Sequence, residues 1–375
     1  MRRLFRWRVI SLAAFVLLFT FYVGVSTFVV RAVAIIDRSE SEGRPADYNL
    51  PAKNVEFPSR NDGLNLKGWY ISAPDKEHTV IFVHGFGGDR GSAHALDIGS
   101  GLWQNGFNVL MFDLRASGSS EGEMASGGYL EQDDLLGAVD FVRNTGIPSG
   151  NIGVIGFSMG AATSILGASK EPSIQAVVSD STYANVLDLI AEEVARATPM
   201  PAWIVPVFQP GIIVIADLLY GIKLDEIVPE RAASSIDYPI FLIHGTDDTR
   251  VPFKQSIRVH GAAASGSTLW KVDGVRHARA FEEHPSKYIE NIIRYFRTRF
   301  GLPFVEIVGE YVQPIKITSV DGTVTYRTID DDDDSKRVGV GVGGQPQPPV
   351  GPQKKPPPLV VSFFEVIGPR ELTAS

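Results

Sequence analysis

Asn151-Ile-Gly-Val-Ile-Gly-Phe-Ser158-Met-Gly-Ala-Ala-Thr-Ser-Ile-Leu-Gly-Ala168 decides the reading of this chain. An apolar run, Asn151–Phe157, has the length and composition of a buried strand. Gly156-Phe157-Ser158-Met159-Gly160 follows, and a stretch of small residues then suits a helix packed closely on a sheet. A serine on a tight strand-to-helix turn presents its hydroxyl to solvent, and glycine on either side tolerates the crowding. The amino end of the following helix favours negative charge developing nearby. Ser158 is therefore the candidate nucleophile.

Val55 to Ala73 alternates around Asn61-Asp62-Gly63, which predicts a β-hairpin. Short apolar runs at Thr79–His84, Asn108–Asp113, Ile174–Ser179, Pro239–His244 and Ser267–Val272 predict further strands. Leu130–Arg143 and Tyr288–Phe300 have helical spacing. The expected fold is α/β, with a mainly parallel eight-stranded sheet covered by helices on both faces. Such sheets bind ligands at the carboxyl ends of their strands. Asp248 and His277 each follow directly after one of the last two strands, in the chain order Ser, Asp, His. His277 is expected to take the proton from Ser158, and Asp248 to orient the imidazole. Asp247 is the adjacent carboxylate, and Asp180 is the reserve acid. Backbone N–H groups of Met159 and of Phe86, within His84-Gly85-Phe86-Gly87-Gly88, are the candidate oxyanion donors. His84 and His244 end strands before glycine and read as structural.

At these residues a resemblance is plain. The chain resembles the α/β-hydrolase superfamily over about residues 50–302. His-Gly-x-Gly-Gly, Gly-Phe-Ser-Met-Gly and His-Gly-x-x-Asp-x-x-Val-Pro are similar to its prolyl-oligopeptidase-like and dienelactone-hydrolase-like branch. The last pattern aligns its acid with Asp248. Asp113-Leu-Arg-Ala-Ser-Gly-Ser-Ser resembles a further loop of the family, with Ala116 where glycine is usual. The resemblance implies a Ser-His-Asp hydrolase with no metal or organic cofactor.

The N-terminus adds a second feature. Arg2, Arg3, Arg6 and Arg8 precede an uncharged stretch from Val9 to Val30, about 33 Å long as a helix and enough for a bilayer core. Residues 1–36 are expected to be a retained signal anchor, with the catalytic domain on the non-cytoplasmic side. Residues 37–54 read as a tether, 55–302 as the catalytic domain, and 303–375 as an extension that is flexible from about 329. Within the extension, two or three strands fit residues 304–328. The run Asp330 to Asp334 and the Gly-rich and Pro-rich stretches after it read as solvated tail. A polypeptide starting near Asp37 is expected to be soluble and active. Residues 182–236 are too long for a simple crossover and are expected to form a lid. The apolar residues Trp203, Ile204, Val207, Phe208, Ile212 and Ile213 would line an acyl site, in a segment too interrupted by proline for one long helix. A second membrane span is the competing reading of Pro199–Ile222.

Composition excludes other classes. Of the 375 residues, 44% are hydrophobic and 21% charged, as in ordinary globular proteins. The net charge of −8 argues against a nucleic-acid partner, and the absence of cysteine rules out disulfides and a thiol nucleophile. The expected substrate is a small-molecule or lipid-like ester, with the membrane met through the N-terminal helix. A peptidase of the same type is the rival enzyme. A non-catalytic interaction module recruiting partners through the Pro-rich tail is the other class, although no triad residue is missing.

Overall fold

The computed structural model describes residues 2–36, 38, 43–74, 77–92, 94–144, 150–303, 315–318 and 324–327. One sheet contains β1 (Ala52–Pro58), β2 (Asn65–Ile71), β3 (Thr79–Val83), β4 (Asn108–Phe112), β5 (Ile152–Phe157), β6 (Ile174–Asp180), β7 (Phe241–Gly245) and β8 (Thr268–Val272). The order is β1-β2-β4-β3-β5-β6-β7-β8. β1 and β2 form the hairpin, β2 runs antiparallel to β4, and all other neighbours are parallel. The last residues of the expected tether, 52–54, already belong to β1, and Pro45–Tyr48 form a 3-10 turn before it.

The helices are α1 (Arg2–Ala34), α2 (Ala95–Gln104), α3 (Glu131–Asn144), α4 (Met159–Ala168), α5 (Ile190–Ala197), α6 (Val205–Tyr220), α7 (Pro229–Ala233), α8 (Lys254–Ala262), α9 (Ala280–Glu283) and α10 (Pro285–Arg299). Successive strand residues point to opposite faces, and both faces are filled. Val80 and Phe82 pack toward α2 and α10, with Leu102, Ile292 and Phe296. Ile81 and Val83 pack toward α3 and α4, with Leu135, Val139 and Ile165. Burial on two sides is why these strands read as continuous apolar runs rather than as alternation.

A third cluster lies apart from the sheet. Val29 and Val30 of α1 meet Ile190 and Val194 of α5 and Phe208, Ile212 and Ala216 of α6. Tyr22 stacks on Phe208 with ring centroids 5.3 Å apart, and its hydroxyl accepts from the Gly211 N–H at 2.9 Å. Gly211 permits the approach, since a Cβ there would fall 2.4 Å from Ser26 Oγ and 2.6 Å from the Tyr22 ring. Tyr22 meets residues 208 and 211, while Val29 to Ala34 and residues 212 to 222 share one cavity. α6 therefore runs beside the second half of α1 in the same direction.

Two expectations for this segment are corrected. Pro206 sits in the first turn of α6, where it removes no helical hydrogen bond, and Pro210 removes only one, so a 16-residue helix forms. Trp203 is 79% exposed and Val207 62% exposed, whereas Phe208 is buried against Tyr22. Of the six apolar residues assigned to an acyl site, only Ile212 reaches the cavity. Among the described residues, two helical stretches are long and apolar enough to cross a membrane, Phe5–Ala34 and Ala202–Tyr220. After Pro303, an antiparallel pair joins β9 (Ile315–Thr318) and β10 (Val324–Arg327). The aspartate run and the flexible tail expected from about residue 329 lie outside the described residues.

Candidate active site

β5 and α4 present Ser158 on the expected turn. Its φ of 54° and ψ of −115° are conformations that non-glycine residues rarely adopt. The turn is held by close packing on either side. A Cβ on Gly156 would fall 2.2 Å from the Gly160 carbonyl oxygen, and one on Gly160 would fall 2.2 Å from that of Val83. The Ser158 N–H donates to the Asp180 carbonyl at 2.8 Å, which ties the turn to β6.

β7 and β8 bring up the other two residues. Ser158 Oγ lies 2.8 Å from His277 Nε2, and His277 Nδ1 lies 2.6 Å from Asp248 Oδ2. Asp248 is buried and also accepts from the Arg250 and Val251 N–H groups at 2.9 and 2.8 Å. His244 Nε2 stands 3.2 Å from the same carboxylate and 2.8 Å from the Val251 carbonyl. With two acceptors around Nε2, its proton sits there, and Nδ1 accepts from Ser256 at 2.6 Å. Burial by itself would raise the Asp248 carboxyl. Hydrogen bonds from His244 and His277 outweigh it and hold the group well below the usual range, so it stays a carboxylate. A carboxylate fixed in this way holds Nδ1 of His277 protonated and leaves Nε2 free to accept from Ser158.

His244, expected to be structural, braces the Asp248 carboxylate. The signal was the spacing His244-x-x-x-Asp248, which carries both to one strand end. Asp180, the reserve acid, instead accepts from Ser181 Oγ at 2.9 Å and Tyr288 Oη at 3.0 Å. Burial, partly opposed by those bonds, pushes its carboxyl up to about 6. Asp247 is exposed. His84 is a buried brace: Nδ1 donates to the Gly85 carbonyl at 2.8 Å and Nε2 accepts from the Leu114 N–H at 3.0 Å. Ala116 has a φ of 57°, which explains why a glycine is usual there.

Phe86, Ser158 and Met159 share an apolar cavity of about 140 Å³. Met159 opens α4, so its N–H is among the donors a helix leaves without an internal acceptor. Glu193 on α5 pairs with Arg250 at 3.2 Å, joining the helical cover to the turn that follows Asp248. The cavity also contains Val29, Val30, Val33 and Ala34 of α1. Nothing in the local pattern of residues 9–34 marked them as part of a site. Among the described residues no group of three or more His, Asp or Glu side chains is arranged to hold a metal ion.

A mainly parallel sheet carrying a serine on a strand–turn–helix elbow, followed in sequence by an acid and a histidine, defines the α/β-hydrolase class. Comparisons agree. A family model described as alpha/beta hydrolase fold matches residues 78–205. The uncharacterized protein YqkD of Bacillus subtilis is 26% identical over 236 residues, covering 61% of this chain and 74% of its own. Lysophosphatidylserine lipase ABHD12 of Danio rerio is 26% identical over 208 residues, covering 54% of this chain and 51% of its own. The structure of the Pyrococcus furiosus esterase Pf2001 superposes with a TM-score of 0.59 at 27% identity, covering 71% of this chain and 100% of that one. The chain has the α/β-hydrolase fold.

Proposed function

We propose that the protein is a membrane-anchored serine hydrolase that cleaves carboxylic esters through an acyl-enzyme. The observation that carries this reading is the chain of contacts Ser158–His277–Asp248, at 2.8 and 2.6 Å, opening into an apolar cavity. Ser158 Oγ attacks the ester carbonyl carbon while His277 Nε2 takes the hydroxyl proton. The carbonyl oxygen becomes an oxyanion, which the Phe86 and Met159 N–H groups stabilise. Its collapse expels the alcohol, protonated by His277, and leaves the acyl group on Ser158. Water, deprotonated by His277, then repeats the sequence and releases the acid. Asp248 stays ionised throughout and stabilises the imidazolium. The apolar walls suit an acyl chain, and the similarity to the lysophosphatidylserine lipase ABHD12 of Danio rerio supports a lipid-like ester.

The anchor reading is supported by exposure. Phe15, Leu17, Leu18 and Phe21 lie bare on α1, and so much apolar surface is strongly unfavourable in water. The N-terminal arginines favour a catalytic domain on the non-cytoplasmic face. The experiment is fluorophosphonate labelling of the membrane-embedded protein, with p-nitrophenyl esters and a peptide amide run in parallel. Ser158→Ala is expected to abolish labelling and to lower ester turnover by several orders of magnitude. Turnover of the amide in preference to the esters would replace this reading with a peptidase.

A further inference from the structure

We propose that the last two turns of α1 form a wall of the acyl site and set the length of acyl chain it takes. The proposal rests on the reading of Ser158 as nucleophile and names what that site binds. The ligand class is an ester of a single unbranched acyl chain, presented by a bilayer lipid or by a soluble ester.

Three observations carry it. Val29, Val30, Val33 and Ala34 face Ile212 and Ala216 of α6 across the same cavity that holds Ser158 and Met159. The end of α1 is fastened to the catalytic domain and is not a hinge: the Ala34 carbonyl accepts from the Ala125 N–H at 2.9 Å. Beyond it, the Arg38 guanidinium donates to the carbonyls of Gly118 at 3.1 Å and Gly122 at 2.7 Å, and also to that of Ser120. Finally, α6 is seated on α1 through the Tyr22–Phe208 stack and the Gly211 notch, so the two helices form one surface.

The size follows from the volume. An apolar cavity of about 150 Å³ holds a benzene molecule. At about 140 Å³ the space here takes about six carbon atoms. Each methylene buried is worth roughly a fourfold gain. Turnover should therefore climb steeply from acetate to hexanoate and flatten beyond. Past the cavity, α1 continues as an apolar rod, with Phe21 and Phe28 exposed along it. A longer chain leaving the site thus stays on apolar surface.

The test uses the full-length protein in vesicles and measures kcat/KM over p-nitrophenyl acetate to dodecanoate, and over monoacylglycerols carried by the vesicle. Val33→Phe is expected to lower the ratio of hexanoate to acetate at least tenfold. Val33→Ala is expected to move the plateau up by one or two carbons, and keeps the test open if the larger side chain prevents folding. Leu18→Phe, on the exposed part of α1, should keep the parental profile. Profiles unchanged in both Val33 variants overturn the wall. A shift confined to the vesicle-borne esters assigns the ligand to lipid, and an equal shift on both assigns it to the acyl chain whatever its source. A parental protein that hydrolyses no ester of any length, or a Ser158→Ala variant that hydrolyses them at the parental rate, overturns the reading of the site itself and this proposal with it.

Discussion

Asp247 and Asp248 are neighbours in opposite environments. Asp247 is exposed, while Asp248 is buried beneath two backbone N–H groups and two imidazoles. Asp248→Asn is expected to lower kcat on the order of 10⁴-fold by favouring the wrong tautomer of His277. Asp247→Asn should stay near the parental rate, and steady-state kinetics of the pair decides. Asp180 gives a different signature, read in stability. Its carboxyl is pushed up to about 6 in the fold from an ordinary 3.8. Between those values the folded protein binds the proton that the unfolded chain has released, so stability falls as pH rises through the window. The loss is complete above pH 6 and amounts to about 3 kcal/mol. Asp180→Asn should gain on the parent by up to that amount between pH 4 and pH 7 in denaturant titrations. A pH-independent difference would mean that ionisation of Asp180 is no burden. At this scale the sequence was informative wherever chemistry repeats a short spacing. The family-like pattern His-Gly-x-x-Asp pointed to Asp248, the carboxylate that lies against His277. The role of His244 could not be chosen, because a strand-ending histidine before glycine looks the same whether it braces a turn or a carboxylate.

Elements were legible to the extent that their surroundings were uniform. The largely buried strands β3 to β7 read as short apolar runs, the half-exposed edge strand β8 was marked by Ser267–Val272, and the structure puts all of them within a residue or two of those runs. α6 was misread because four prolines suggest interruption, whereas what matters is their position. Pro199 and Pro201 precede the helix, Pro206 occupies a harmless turn, and Pro210 falls early. Which side of such a helix is buried depends on what packs beside it, and here that is α1, almost two hundred residues away in the chain. The two sides give opposite predictions. Trp203→Ala, on the exposed side, should leave ester turnover within about twofold of the parent, as surface substitutions commonly do. Gly211→Leu would drive a side chain into Ser26 and Tyr22. It should separate α6 from α1 and lower hexanoate turnover at least tenfold. Chain-length kinetics on both variants checks the assignment, and equal losses would refute it.

For the molecule as a whole, α1 joins two properties that the sequence suggested were separable. Deleting residues 2–36 was expected to yield a soluble, active enzyme. In the structure the deletion would strip one side from the Val29–Ala216 cluster and open the cavity. The truncated protein should retain acetate turnover, lose preference for hexanoate, and still bind vesicles through Trp203, Val207, Val214 and Leu218, all exposed on or beside α6. Vesicle flotation together with the two esters tests this. A truncated protein that floats free of vesicles and keeps the parental preference would restore the simpler view of α1 as a tether.

The hydrogen bond between Tyr22 and Gly211 spans 189 residues of chain. Synthesis proceeds at roughly 5–20 residues per second, so roughly 10–40 s separate the emergence of its two ends from the ribosome. Long-range closure of this kind is also slow to nucleate. During that interval α1 has no α6 to cover Val29 and Val30, while β1 to β6 emerge one after another and are all synthesised before α6 begins. Synthesis therefore has a fixed order, in which six strands and the Ser158 turn precede α6, and β7 and β8 follow it. Any factor that withdraws α1 from its place in those seconds leaves a folded sheet with an open, unselective cleft rather than an unfolded chain.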